Sequence, residues 1–441
     1  MRFSRLPLKR RAVDPTCKVN VRQLPALTVA LAAAASIAAA ATMAIFGVVL
    51  SRIAASSYNF TGDFLSFYAA GYLVRTGQGV HLYDPGAVDA AQRLLYPGGF
   101  DQTIGYPLPV FAAWLFAPLS YLPFTAAFFL YAALTAALLA GLLSLLARQL
   151  ADVPRGPRRL FLACAALALP SLATIVFGQV DLIALAGLMG GYLLLRSGRR
   201  TLAGLPLCLV LIKPHLLLGV ALLLVVRREW RTIGVLAGAG LPLLIAPALI
   251  AGPVTLIENV REMARLDNTL LAGSRAGVMA NWRGFIASAT NSNQLVLWAP
   301  GAIAIAAGAV AIAVSRWRSE GGTAAFGRDY SLAVLLPLLV SPHVHTQTLV
   351  VALLPGALLL RAYLTPGAGA EAAGRATNTL LGLYTLLFAL PFLAIQGLSL
   401  TVFLVAGGYL ALALRWPGID TARERRDEAS ADGETVRARA A

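Results

Sequence analysis

A few residues able to bind an anion or transfer a proton interrupt the apolar part of this sequence. One interruption reads CLVLIKPHLLLG, where Lys213, Pro214 and His215 stand inside an apolar run at 208–219. An ammonium within hydrocarbon costs on the order of 3 kcal/mol, and proline removes a helical hydrogen bond. Lys213 is also the only lysine outside the N-terminal tail. We therefore expect an anion close to its side chain.

Other apolar blocks carry similar interruptions. Gln179 and Asp181 stand in FGQVDLIAL, and His343 and His345 stand in SPHVHTQTLV. Two histidines at i and i+2 can hydrogen-bond a phosphate or sugar, or bind a metal if the segment is extended, but no third and fourth ligands neighbour them in the sequence. Asp63 precedes the amphipathic stretch FLSFYAAGYLVR, so it is a candidate catalytic carboxylate and equally a candidate helix N-cap.

Each of these residues also has a purely structural interpretation. Lys213 could snorkel to the membrane interface. Gln179 and Asp181 could cap a tight turn between helices. Asn281 and Arg283, in NWRGF, lie in a polar loop, where an arginine is more often solvated than functional. Sequence alone leaves both interpretations open for each position.

Composition places the chain in the membrane. Of its 441 residues, 58% are hydrophobic and 13% are charged, and the mean hydropathy is +0.74. With repeated apolar blocks of about 20 residues, these values exclude a soluble globular domain and predict an all-α polytopic membrane protein. The net charge of +16 comes from short basic clusters between apolar blocks, which is a positive-inside pattern and predicts no nucleic-acid partner.

The same basic clusters predict the topology. If they lie in the cytoplasm, the proline-rich block 107–122 cannot cross and should form a juxtamembrane or re-entrant helix on the outer side. The prediction is a bundle of about twelve helices. Its crossings are 24–53, 124–147, 160–177, 182–195, 201–213, 215–226, 232–251, 295–314, 329–341, 348–361, 377–395 and 398–414.

This topology divides the chain into a membrane domain and two cytoplasmic tails. The membrane domain, 24–414, contains outer loops at 54–123 and 252–294. The basic tail 1–23 and the charged tail 415–441 are both predicted to be cytoplasmic, the latter disordered.

In this topology the unusual polar residues of the apolar part gather on the outer side. They are Asp63, Tyr106, Gln179, Asp181, Lys213, His215, His343 and His345. Neither a P-loop nor a Rossmann fingerprint nor a GxSxG elbow is present. A reaction on the outer face has no ATP or nucleotide-sugar to use, so the energy must arrive in a membrane-carried substrate, and a polyprenyl-phosphate sugar fits that requirement.

Six motifs across residues 58–362 resemble glycosyltransferase family 87 of the GT-C superfamily. They are GDFLSFYAAGYLVRTGQGVHLYDP, YPLPVFAAWLFAPLSYLP, FGQVDLIAL, AGLPLCLVLIKPHLLL, NWRGF and SPHVHTQTLVVALLP. The resemblance implies a GT-C-like fold and a glycosyltransferase of the bacterial inner membrane. It would transfer a sugar, mannose in this group, from a polyprenyl-phosphate donor to a lipid or glycan acceptor.

The resemblance also implies roles for individual residues. An acidic residue of the first outer loop acts as general base, which corresponds to Asp63. The polyprenyl phosphate leaves as an anion, so a fixed cation lowers the barrier, and Lys213 is the candidate, with His215, His343 and His345 as helpers. No metal or other cofactor is expected. The expected substrate-binding residues are Tyr68, Tyr106, Gln179, Asp181, Asn281 and Arg283.

Two other classes remain as alternatives. A transporter or flippase of lipid-linked sugars would also line a cavity with ionisable residues, but nearer the midplane and with an internal repeat, and the sequence shows neither. A non-catalytic assembly protein is the alternative if Asp63 is only a helix cap.

Overall fold

In the computed structural model, every regular element of the described residues is a helix. The described residues are 26–55, 62–96, 103–268, 279–292, 294–317, 323–341, 343–364, 369–395 and 401–414. The α-helices are α1 (Ala26–Ala54), α2 (Phe64–Arg75), α3 (Pro85–Leu95), α4 (Val110–Phe116), α5 (Phe124–Gln149), α6 (Arg155–Leu167), α7 (Leu169–Val176), α8 (Asp181–Arg196), α9 (Arg200–Leu207), α10 (Leu218–Val226), α11 (Trp230–Ala251), α12 (Thr255–Asn268), α13 (Trp282–Thr290), α14 (Leu295–Trp317), α15 (Thr323–Val340), α16 (Leu353–Tyr363), α17 (Ala370–Ile395) and α18 (Thr401–Leu414). Shorter 3-10 segments occur at Gly79–His81, Pro118–Tyr121, Cys208–Ile212, Pro214–Leu217 and Thr346–Ala352.

The helices confirm an all-α polytopic membrane protein. Each of the twelve predicted crossings contains helix in the described residues. By length and composition, six segments of the described chain are sufficient to cross a membrane. They are Ala26–Ala54, Phe124–Gln149, Arg155–Val176, Trp230–Ala251, Leu295–Trp317 and Thr346–Tyr363. The number of crossings itself stays a prediction.

Two antiparallel helices, α8 and α15, form the centre of the bundle. The Tyr330 hydroxyl of α15 donates to the Leu188 carbonyl of α8 at 2.7 Å, and the Tyr192 and Phe326 rings stack at 5.8 Å. A later residue of α8 thus pairs with an earlier residue of α15, so the two helices are antiparallel. The start of α8 therefore lies beside the end of α15. Asp181 and the segment that follows α15 therefore occupy the same end of the bundle.

The N-terminal half of α15 carries a buried ion cluster, beside the middle of α8. Asp329 is fully buried and accepts from Arg227 Nη2 at 2.5 Å and from Arg328 Nη2 at 2.7 Å. Both arginines belong to basic clusters, RREWR and SRWRSEGGTAAFGR, that the predicted topology places in the cytoplasm. In the structure they are also ion-pair partners of the Asp329 carboxylate. Removing only one member of a buried ion pair strongly destabilises a protein.

The proline-rich block 107–122 forms no spanning helix. It folds into α4, which has seven residues, and the 3-10 segment Pro118–Tyr121. A helix needs about 20 residues to span the hydrocarbon core, so this block is too short to cross, as the topology requires. It packs on α2, where a Cβ at Gly71 would lie 2.5 Å from the Phe116 carbonyl carbon, and this close approach requires glycine.

The tails predicted at 1–23 and 415–441 lie outside the described residues, as do 56–61 and 97–102 of the first outer loop and 269–278 of the second.

Candidate active site

The site forms where the turn between α7 and α8 crosses the start of α2. The Phe64 amide donates to the Phe177 carbonyl at 3.2 Å. Each of the two crossing segments contains a glycine in the left-handed region, Gly62 at φ +54° and Gly178 at φ +68°. A Cβ at Gly178 would lie 2.5 Å from the Phe64 Cβ. The motifs GDF and FGQ therefore need their glycines to approach each other.

Aromatic packing fixes the start of α2 at this crossing. The Phe64 ring is fully buried and lies 5.4 to 5.7 Å from the rings of Phe124, Phe128 and Tyr131 on α5. Aromatic pairs at such distances contribute beyond their buried area. Since Asp63 directly precedes Phe64, this packing holds the Asp63 backbone in place.

Asp63 occupies the N-cap position of α2, but its side chain makes no capping hydrogen bond. Instead its Oδ2 accepts a hydrogen bond from Gln179 Nε2. The carboxylate is half-buried. The Asp63 side chain therefore does not cap α2, and its carboxylate binds Gln179 instead.

Gln179 links Asp63 to the ion pair of Lys213 and Asp181. Lys213 Nζ lies 2.8 and 2.9 Å from the two carboxylate oxygens of Asp181, and 3.3 Å from Gln179 Oε1. The Asp181 side chain is 0% exposed and that of Lys213 is 13% exposed. The anion expected beside Lys213 is thus Asp181. We call Asp63, Gln179, Lys213 and Asp181 the four-residue network.

Local sequence explains the position of Lys213. Its backbone, at φ −131° and ψ 78°, is non-helical and lies between two 3-10 segments. Proline disfavours the helical conformation in the residue before it, so Pro214 sets this break. His215 follows within the second 3-10 segment and is half-buried.

One residue of the site could not be recognised from the sequence. The Tyr131 hydroxyl of α5 donates to the Gln179 carbonyl at 2.9 Å, so it anchors the backbone that carries the amide. Tyr131 stands in an ordinary apolar block, FFLYAALT, and only its polar hydroxyl distinguishes it there.

The two histidines after α15 lie beside each other. The rings of His343 and His345 meet edge to face at 4.6 Å. A few residues later, the Gln347 carbonyl accepts from Thr174 Oγ1 at 3.4 Å. We call residues 343–347 the histidine segment. Thr174 belongs to α7, directly before the turn at Phe177, so the Gln347 end of this segment lies along the helix that leads into the four-residue network.

Asn281 joins the second outer loop to this histidine segment. Its side-chain oxygen caps α13 by accepting from the Gly284 amide at 2.9 Å, and its Nδ2 donates to the Ser341 carbonyl at 3.0 Å. The Ala280 amide donates to the Val344 carbonyl at 2.7 Å. Asn281 therefore has a structural function in placing both segments, whatever it contributes to substrate binding.

Arg283 is not solvated, contrary to the usual behaviour of a loop arginine. It is 3% exposed, and its guanidinium lies 5.1 Å from the centroid of the Trp298 ring. Such cation–π contacts are strongest where water is excluded. Arg283 is thus a buried cation attached to the loop that contacts the histidine segment.

The structure does not direct the hydroxyls of Tyr68 and Tyr106 toward the four-residue network. Tyr68 donates to the Leu122 carbonyl at 2.5 Å, and Tyr106 donates to the Pro109 carbonyl at 3.1 Å. Burial raises the pKa of both phenols, so both stay protonated hydrogen-bond donors. Their contacts shape the first outer loop, and their predicted role in substrate binding stays a prediction.

Comparison with known proteins supports a transferase. The model of glycosyltransferase family 87 matches residues 106–342, just over half of the chain. No curated protein and no solved structure shows a significant match. The matched region includes the NWRGF, FGQVD and IKPH motifs. Asp63 precedes it, and His343 and His345 directly follow it.

Proposed function

Because the chain belongs to glycosyltransferase family 87, a GT-C-type family, and is a multi-pass membrane glycosyltransferase, we propose that it transfers mannose from a polyprenyl-phosphate donor. The acceptor is a lipid or glycan hydroxyl on the outer face of the bacterial inner membrane. A membrane-carried donor supplies the energy where nucleotide-sugars are absent. The N- and C-termini lie in the cytoplasm in this proposal.

The observation that carries the proposal is the hydrogen bond between Asp63 and Gln179. A general base needs a carboxylate held at a defined position, with access to the substrate. Asp63 is half-buried, does not cap its helix, and is bound by an amide from a separate part of the chain. A residue that merely ends a turn needs no such long-range partner.

The proposed reaction inverts the sugar at its anomeric carbon. The acceptor hydroxyl oxygen attacks this carbon and forms the new glycosidic bond, while the bond between the anomeric carbon and the phosphate oxygen breaks. Asp63 takes the hydroxyl proton, and the bonding electrons leave with the polyprenyl phosphate. Proton transfer to a positioned base typically contributes a factor of about 10² to 10⁴ in rate.

We propose that the donor phosphate lies against His215, His343 and His345, with Lys213 as the fixed positive charge of the site. The phosphate gains negative charge as the bond breaks, and cations placed there in advance stabilise the transition state. The position of the histidine segment along α7 supports this grouping, because α7 leads into the turn that carries Gln179.

The test is mannosyl transfer from polyprenyl-phosphate mannose by the purified protein, compared with the Asp63→Asn variant. The substituted amide keeps the shape of the side chain but is too weak a base to accept the proton, so we expect kcat to fall at least a hundredfold. The matched control is Asp84→Asn in the same outer loop. Asp84 caps α3 by accepting from the Gly86 amide at 2.8 Å, and asparagine caps equally well, so this variant should keep full activity.

A folded Asp63→Asn variant with wild-type turnover would refute the base assignment. Wild-type protein that moves the intact lipid-linked sugar across a vesicle membrane without cleaving it would instead establish a flippase.

A further inference from the structure

We propose that Lys213 serves catalysis chiefly through Gln179: the ion pair of Lys213 with Asp181 orients the amide, and the amide positions the Asp63 carboxylate. This inference rests on the proposed function, in which Asp63 is the base. It makes Gln179 a positioning residue and gives Lys213 a role other than a direct hydrogen bond to the donor phosphate.

The surroundings of the ammonium are the first reason. An ammonium has three hydrogens and no acceptor. Lys213 Nζ has three acceptor atoms within reach, at 2.8, 2.9 and 3.3 Å, and all belong to Asp181 and Gln179. A phosphate oxygen that bonded Lys213 would have to replace one of these protein contacts.

The chemistry of the amide is the second reason. A carboxamide has one accepting and one donating end, a lysine only donates, and a carboxylate only accepts. Gln179 lies between Lys213 and Asp63, so its Oε1 must face the ammonium and its Nε2 must face the carboxylate. In the reversed orientation, Nε2 would face the Lys213 ammonium, which also only donates, and Oε1 would face the Asp63 carboxylate, which also only accepts. The buried charge of Lys213 therefore selects the orientation in which Gln179 can hold Asp63.

The rigidity of the surroundings is the third reason. The Gln179 carbonyl is fixed by the Tyr131 hydroxyl, and the preceding turn depends on Gly178 at positive φ. Asp181 is fully buried in the first turn of α8, where the helix dipole favours a carboxylate. Only the side-chain torsions of Gln179 remain to be set, and Lys213 sets them.

The two roles of Lys213 predict different kinetics. A direct phosphate contact makes Lys213 and Gln179 independent, and its loss weakens donor binding. A positioning role makes the two residues act as one unit, and its loss lowers kcat while donor binding is kept. A double-mutant cycle separates these cases.

The variants must avoid leaving a buried charge without its partner. Lys213→Met alone leaves the buried Asp181 carboxylate without its cation, which destabilises the fold. Both residues are therefore changed together, in the double variant Lys213→Met/Asp181→Asn. Gln179→Met removes both hydrogen bonds of the amide at similar volume. Gln149→Met is the matched control, because Gln149 also bonds a cation, Arg196, at 2.8 Å, but lies about 27 Å along α5 from Tyr131.

We expect Gln179→Met and the Lys213→Met/Asp181→Asn variant each to lower kcat about thirtyfold, the order expected for one charge-assisted hydrogen bond. The donor KM and the Kd for polyprenyl phosphate should change less than threefold. Gln179→Met should then cost less than threefold when added to the Lys213→Met/Asp181→Asn variant. Gln149→Met should match the wild type in every measurement.

A second readout does not depend on turnover. The infrared absorption of the Asp63 carboxylate, isolated by subtracting the spectrum of Asp63→Asn, reports its hydrogen bonding. We expect the same band shift in Gln179→Met and in the Lys213→Met/Asp181→Asn variant. If the wild type neither binds nor uses the donor, the proposed function fails, and this spectrum still tests the positioning role.

Two results would overturn the inference. One is an unshifted Asp63 band in the Lys213→Met/Asp181→Asn variant. The other is a tenfold or larger rise in the polyprenyl-phosphate Kd in that variant, with the effects of the two changes multiplying.

Discussion

The side-chain amide of Gln179 donates a hydrogen bond to the carboxylate of Asp63, across a sequence separation of 116 residues. This contact brings the first outer loop to the turn between α7 and α8. The position of the candidate base is therefore set by helix packing as well as by its own loop.

The Gly178 turn provides a direct test of this dependence. Gly178→Ala places a Cβ 2.5 Å from Phe64 in a left-handed backbone, so we expect it to separate Asp63 from Gln179 and lower kcat at least tenfold. The left-handed conformation alone costs a non-glycine residue about 1–3 kcal/mol. Transfer assays and thermal unfolding in detergent measure the two effects.

The matched control for this change is Gly198→Ala. Gly198 has a similar φ of +75°, and a Cβ added there would meet no atom within 4 Å, so this variant should lose stability but keep its kcat. Equal turnover in the two alanine variants would contradict the proposed role of the Gly178 crossing.

The ion cluster around Asp329, in the N-terminal half of α15, should affect stability but not catalysis. Asp329→Asn leaves the half-buried guanidinium of Arg227 and the buried guanidinium of Arg328 without their carboxylate, and we expect a loss of about 3–5 kcal/mol in unfolding free energy. The kcat of the folded fraction should be unchanged. Denaturant unfolding with a parallel activity assay checks both statements.

An exposed ion pair supplies the comparison for Asp329. Arg361 and Asp152 lie 2.9 Å apart with side chains 30% and 37% exposed, so Asp152→Asn should cost at most about 1 kcal/mol. A comparable loss of unfolding free energy in Asp329→Asn and Asp152→Asn would show that the buried cluster stabilises the fold no more than an exposed ion pair does.

The topology can be tested by labelling single cysteines in a chain lacking Cys17, Cys164 and Cys208. Gln78 and Ser197 are both exposed, in the first outer loop and after α8 respectively. We expect Gln78→Cys to react with an impermeant reagent from outside the cell, and Ser197→Cys to react only after the membrane is opened. Labelling of Ser197→Cys in intact cells would reverse the predicted orientation and remove the site from the outer face.

Metal independence is a further expectation. A monophosphate leaving group needs less charge neutralisation than a diphosphate. Within the described residues, no three or more His, Cys, Asp or Glu side chains are grouped to hold a metal ion. Because of this smaller charge on the leaving group, we expect transfer to persist in EDTA. Activity that is lost in EDTA and restored by a single divalent ion would refute this, and His343 and His345 would be the first ligands to examine.

The sequence by itself determined the class of protein and predicted that its polar residues gather at one end of the bundle. Both follow from the composition of short segments, that is, from their hydrophobicity and their basic residues. Whether about 20 residues form a membrane helix depends on their own composition, because the backbone must satisfy its hydrogen bonds within the segment. The need for an anion beside Lys213 is equally local, since the cost of burying one charge does not depend on which partner offsets it.

Only the tertiary structure decided the partners. Asp181 pairs with Lys213, Gln179 reaches Asp63, and Asp329 bridges two arginines that the sequence assigns to the cytoplasmic surface. These pairings depend on how closely helices approach, and glycines such as Gly178 permit those approaches at single positions. Composition and periodicity carry no information about which side chains then face each other, because that is set by the shape of surfaces distant in the chain.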